Sequence, residues 1–151
     1  VINCGMAVNI DIGNPANIHP TSKSEVGRRL AILALNKTYG EDVEYSGPKY
    51  QGYQLESGQI RIKFAHTDDM KAKDGGVLRG FAIAGIDHEF HWADAHVEGN
   101  SVVVSSSEVN YPIAVRYAWD DNPDCNLING SGLPASPFRT DDWQGITYGR
   151  K

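Results

Sequence analysis

With 151 residues, 40 % of them hydrophobic and 22 % charged, the chain has room for one ordinary domain, or for a small piece attached to one, in a globular balance. A net charge of -5 speaks against the clustered basic surface of a nucleic-acid binder, and no apolar run approaches the ~20 residues of a membrane span. Neutral or modestly charged small ligands fit that charge.

The N-terminus, Val1-Ile-Asn-Cys-Gly5, has no initiator Met, no basic stretch and no long apolar core, so it does not read as a signal peptide. A chain that opens on Val1 directly before a strand pattern reads as a piece of something longer. Cys4 and Cys125 are too few for a disulfide framework. Free buried thiols are the expected state, with pairing in an oxidising compartment as the alternative.

Met6 to Ile12 is β-rich with apolar positions in excess, the pattern of a strand buried on both faces in a parallel sheet. The polar loop Asp11-Ile-Gly-Asn-Pro-Ala-Asn-Ile-His19-Pro20 follows. An acid and a histidine between a strand and a helix are placed where α/β enzymes keep catalytic groups, and suggest a histidine base with an orienting carboxylate. No Gly-x-Ser-x-Gly elbow and no Gly-Asp-Ser block occurs in the chain, so the loop reads as half of an active site. Ser22-Lys-Ser-Glu25 has the spacing of a capping box, and Val26, Leu30, Leu33 and Ala34 recur at helical intervals, widened by Ile32, Leu35 and Tyr39. Gly40 is a natural stop. Such a β-α unit cannot bury both faces alone and expects a larger parallel sheet beside it.

From about Tyr45-Ser-Gly-Pro48 the period becomes two. Ile60, Ile62 and Phe64 alternate with Arg61 and Lys63 after a Ser57-Gly58 turn; Phe81 and Ile83 alternate with Ala82 and Ala84. Phe90 and Trp92 follow Asp87-His88, and Val102 to Val104 follow the hairpin signal Gly99-Asn100. Ile113, Val115, Tyr117 and Trp119 predict one strand face, with Ala114, Arg116 and Ala118 on the other. The tail from Asp120 reads as an ordered wrapping loop. The fold expected is mainly β: a jelly-roll-like antiparallel sandwich over 46–151, preceded by a strand-helix segment over 1–45.

Strings along nearly the whole chain carry a family resemblance. Gly5-Met-Ala-Val-Asn-Ile-Asp-Ile-Gly13, Ile18-His-Pro20, Glu25-Val-Gly-Arg-Arg-Leu-Ala31, Lys73-Asp-Gly-Gly76, Gly80-Phe-Ala-Ile-Ala-Gly85, Ala114-Val-Arg-Tyr-Ala-Trp119 and Gly132-Leu-Pro-Ala-Ser-Pro-Phe-Arg-Thr140 resemble the C-terminal part of bacterial sialate O-acetylesterases, carbohydrate esterases of the SGNH type. The resemblance implies that residues 1–45 are the end of an SGNH hydrolase domain and that His19 is the catalytic histidine. The serine and the oxyanion hole would then lie upstream, in the missing N-terminal hydrolase region. It implies hydrolysis of O-acetyl esters on sugars through an acyl-enzyme, no cofactor, an acetylated carbohydrate as partner, and a secreted or periplasmic location. This chain alone is expected to be inactive. Relatives often carry acids where Asn14 and Asn17 stand, and Ala16 occupies the usual acid position three residues before the histidine. Asp11 is the remaining carboxylate; either it or a backbone carbonyl would orient His19. The alternative, of another class, is a carbohydrate-binding β-sandwich module without catalysis of its own.

Other clusters read more plainly. His88, His91 and His96 stand near Asp87, Glu89 and Asp94, but strand alternation separates them, and no metal site is expected. His66-Thr-Asp-Asp69 and Asp74-Gly-Gly76 offer calcium-type oxygens without EF-hand spacing. Among Tyr50, Tyr53, Trp92, Tyr111, Trp119 and Trp143 core packing is the default. Trp119-Asp120-Asp-Asn122 stands apart, because an aromatic beside polar groups suits a hydroxyl-rich ligand. Trp119, Asp120, Asn122 and Trp92 are therefore the carbohydrate-binding candidates.

Overall fold

The computed structural model describes residues 4–19, 21–145 and 147–149. Among them, helix α1 (Lys23–Lys37) precedes strands β1 (Lys49–Glu56), β2 (Gln59–Ala65), β3 (Lys71–Ala72), β4 (Phe81–Ala84), β5 (Phe90–Trp92), β6 (Asp94–Glu98), β7 (Ser101–Ser105), β8 (Ala114–Tyr117), β9 (Leu127–Ile128) and β10 (Phe138–Arg139). The pairings are antiparallel and give sheets ordered β1-β2-β7-β6 and β10-β8-β4-β5, with a small β3-β9 ribbon. A mainly β architecture of antiparallel sheets behind one helix is what the sequence patterning predicts.

Period-two burial builds the core between the two larger sheets. Ile60, Ile62, Phe64, Val102 and Val104 face Phe81, Ile83, Val115 and Tyr117, all at most 2 % exposed. Phe138 stacks on Tyr50 at 4.8 Å and on Tyr117 at 5.9 Å. The Gly99-Asn100 hairpin closes as read, and Ser57-Gly58 proves to join β1 to β2 in a second one, with Gly58 at φ 73 and Gly99 at φ 61 at the turns a side chain would strain.

The last strand departs from its expected pattern. Ala118 sits at φ 50, so alternation ends at Tyr117, and Trp119 emerges 52 % exposed instead of returning to the core. The tail wraps as expected but also lends the two short strands β9 and β10, whose brevity left no period to read.

Residues 6–12 form no strand, contrary to the β pattern. A strand suited to the middle of a parallel sheet needs neighbours to satisfy its backbone, and none among the described residues pairs with it. The capping box is also absent. Ser22, at φ -75 and ψ 41, lies outside the extended geometry of a cap and makes no side-chain cap, while Glu25 is drawn to Arg28 at 2.7 and 2.8 Å and to Arg29 at 2.8 Å by charge-assisted bonds that outweigh a neutral backbone donor. The end near Gly40 behaves as read: the glycine takes φ 73 and the Glu41 N–H donates to the Leu35 carbonyl.

The predicted apolar arc of α1 is split. Its most buried residue is Arg29, with Ile32 and Leu33 half-buried, while Leu30, Leu35 and the following Tyr39 are exposed. The segment nonetheless packs on the sandwich. Ile10 contacts the core, Leu33 meets Gly5, and the Lys37 ammonium lies 3.9 Å over the Tyr45 ring. Asn129, fully buried, donates to the carbonyls of Ser46 and His66 and accepts from the Leu133 N–H.

Candidate functional site

The loop that leads to His19 is preformed by its asparagines. Asn14 Oδ1 accepts from the Ala16 N–H and Asn17 Oδ1 from the His19 N–H, each at 2.9 Å, with the Asn17 N–H on the Asn14 carbonyl. These are successive Asx turns, a role Asp and Asn share. The positions expected to carry acids therefore shape the backbone. His19 is exposed, and its ring makes no hydrogen bond among the described residues; Pro20 lies outside them.

Asp11 is placed elsewhere than beside the His19 ring. Arg29 Nη1 and Nη2 donate to its two oxygens at 2.6 and 3.0 Å, and Lys73 Nζ donates at 2.9 Å. The Asp11 side chain is 4 % exposed and that of Arg29 3 %. Burial would raise the Asp11 pKa, but the bonds from Arg29 and Lys73 outweigh it and hold the carboxyl below its ordinary 3.8. Arg29 also donates to Glu25 and, at 2.7 Å, to the Val8 carbonyl. The bonds from Arg28 and Arg29 hold Glu25 at about 2. One guanidinium thus joins the start of the loop, the helix and, through Asp11, a lysine of the β region. Sequence reading missed Arg29 and Lys73. The signal was an arginine on the helical stripe of Val26 and Leu33, where a long cation is buried only if paired.

Three of the four carbohydrate candidates come together. Trp92, Trp119 and Asp120 line one cavity of about 270 Å³ with Phe90 and Arg116. Asn122 is exposed and outside that lining, with Pro123 in its place. Arg116, missed in the sequence, lies 4.0 Å over the Phe90 ring and gives two bonds, of 2.9 and 2.8 Å, to Asp141.

The remaining histidines go separate ways. His88 stacks on Trp143 at 3.7 Å, His91 bonds Glu108, and His96 bonds Glu98. Among the described residues no three His, Cys, Asp or Glu side chains form a metal-holding group. Asp69 pairs with Lys71, and the Asp74 carboxylate is held at about 2 mainly by Arg79. Cys4 is exposed and Cys125 half-buried; both are free, so the buried-thiol expectation fails for Cys4.

Solved structures share this arrangement of chain and sheets. The chain is similar to part of a carbohydrate acetylesterase. That protein, from Xanthomonas citri, is 47 % identical with a TM-score of 0.88 over 91 % of this chain and 32 % of its own. The chain therefore spans about a third of that acetylesterase's length. No protein-family model and no curated protein matches the chain. The likeness supports the carbohydrate-esterase relation expected from the sequence.

Proposed function

We propose that the chain is the histidine-bearing segment and accessory β region of a carbohydrate O-acetylesterase, with the nucleophilic serine outside these 151 residues. The observation that carries the reading is the likeness to the acetylesterase at 47 % identity, extending over 91 % of the chain. An exposed His19 on a loop braced by Asn14 and Asn17 adds to it. In this reading the serine Oγ attacks the acetyl carbonyl while His19 accepts its proton. His19 then passes that proton to the departing sugar oxygen, and water cleaves the acyl-enzyme by the same route. Asp11 acts as a positioning residue that fixes the entry of the loop, since both its oxygens are engaged. The acceptor for the His19 ring is then a backbone carbonyl or a group of the larger protein.

His19→Ala in the longer protein should lower turnover of 4-nitrophenyl acetate by roughly a hundred- to ten-thousandfold. The isolated chain should show none. Turnover by the isolated chain that equals the longer protein's and survives His19→Ala would sink the assignment. A second reading, a glycan-binding β module, draws on Trp92 and Trp119 standing exposed in one cavity. The two roles are compatible in one polypeptide.

A further inference from the structure

The outer face of the β10-β8-β4-β5 sheet carries a row that chain order hides. Register sets Arg139 opposite Arg116, Arg116 opposite Ala82, and Ala82 opposite Trp92. Side chains alternate along each strand, so this row looks away from the core row Phe138, Tyr117 and Phe81. Ala82, short between long neighbours, leaves a depression with Trp92 at its rim, 74 % exposed. The left-handed Ala118 then throws Trp119 onto the same face. Arg116, Ala118, Trp119 and Asp120 also line a second groove of about 730 Å³ that reaches Arg139 and Ile10, so the two adjoin along those residues, a trough in two parts with Trp92 in one and Ile10 in the other.

We infer that this trough binds a neutral glycan, with sugar rings seated on Trp119 and Trp92. The inference deepens the glycan-binding reading above and rests on it. Indoles fixed on a sheet offer flat apolar faces to the C–H side of a pyranose, and the polar groups between them fix its hydroxyls. The Arg139 guanidinium stands 5.4 Å from the Trp119 ring centre, with one nitrogen bonded to the Trp143 carbonyl at 3.0 Å, and supplies donors. Asp120 supplies acceptors, one oxygen being taken by the Asp121 N–H at 2.8 Å.

Charge decides the class of sugar. Asp141 bonds Arg116 and also lies 3.7 Å from Arg139, so two arginines here stand among three aspartates, Asp120, Asp121 and Asp141. A hydroxyl can donate to one side and accept from the other. A uronate or sialate carboxylate would meet more negative than positive charge. A protein surface laid over the trough would have to bury Asp120 and Asp121 without counter-charges.

The test titrates the chain, by indole fluorescence and calorimetry, with xylohexaose, cellohexaose and mannohexaose. An oligogalacturonide of equal length and a sialyl-oligosaccharide serve as acidic probes. At least one neutral glycan should saturate at least tenfold more tightly than either acidic probe. Trp119→Ala and Trp92→Ala should each weaken it about tenfold, Lys63→Ala on the other sheet should leave it unchanged, and Asp120→Lys should narrow the discrimination. All four positions are exposed, and an unchanged far-UV spectrum verifies the fold. A flat response to every neutral glycan, acidic probes binding as tightly, or binding that survives both tryptophan changes would overturn the inference. No ester is cleaved in the assay. A flat titration would leave the esterase reading standing, and an inactive longer protein would leave the trough standing.

Discussion

Asp11→Ala should loosen α1 from the sandwich while the sandwich itself stays folded. The Asp11 and Arg29 side chains are almost wholly out of water. Removing one member of such a pair costs about 3–5 kcal/mol, because the other is left charged and buried. Arg29 keeps Glu25 at 2.8 Å and the Val8 carbonyl at 2.7 Å, so the lower end applies. The expected loss is about 3 kcal/mol, a rise of roughly 140-fold in the opened population. Lys73 is a control: its side chain is 50 % exposed, and Lys73→Ala should cost about 0.5–1 kcal/mol at most. The assay uses the separation of probes along the chain. α1 is the one helix among the described residues, so helical ellipticity reports it, whereas Trp92, Trp119 and Trp143 lie in the β region. In urea, Asp11→Ala should move the helical transition to lower denaturant and leave the tryptophan transition in place. Two unshifted transitions, or a Lys73→Ala shift as large as that of Asp11→Ala, would refute the reasoning.

The same carboxylate makes the helix acid-sensitive. Its folded pKa is lowered, so its contribution is present above the ordinary value of 3.8 and is lost as pH falls through the folded pKa. Helical ellipticity should therefore decline below about pH 3.8, and high salt should not reproduce the loss. Asn129→Ala leaves the buried Leu133 N–H without an acceptor and two carbonyls without a donor. It should cost about 2–4 kcal/mol, seen as a lower urea midpoint by tryptophan fluorescence.

Where one physical signal governed an element, the sequence showed it. Ile60, Ile62 and Phe64, and the glycines at 58 and 99, follow local rules that no distant contact overrides. The failures share a cause. Residues 6–12 carry the pattern of a strand whose partners are not among the described residues, and pattern alone cannot supply them. The apolar arc of α1 was legible, but not its division, because the face against the sandwich is organised by Arg29. The candidate site divides in the same way. His19 and Trp119 could be singled out from their neighbours in sequence. The carboxylate of Asp11 could not be placed, since its partners lie 18 and 62 residues away. Arg116 and Arg139 become neighbours only through strand register, and the left-handed Ala118 that exposes Trp119 has no signature in an alanine.

The ion pair also bears on why the helix is held by charge when apolar residues stand one position away. Leu30 and Leu35 are 53 % and 40 % exposed, and Met6 73 %. A helix that held the sandwich by those residues could not offer them to a hydrolase sheet, which the esterase reading requires. A two-bonded carboxylate–guanidinium pair fixes orientation where an apolar patch would tolerate sliding. Replacing it separates stability from placement. Asp11→Leu combined with Arg29→Met should leave α1 about as stable as before, within about 1 kcal/mol, because exchanging a whole buried pair for apolar residues is often neutral or favourable. In the longer protein the same double change should lower kcat about tenfold with KM nearly unchanged. The loop leading to His19 would have lost its fixed starting point, and small misplacements of a general base are costly. Retained stability with full kcat would show that the pair only holds the helix, and Asp11 would lose its positioning role.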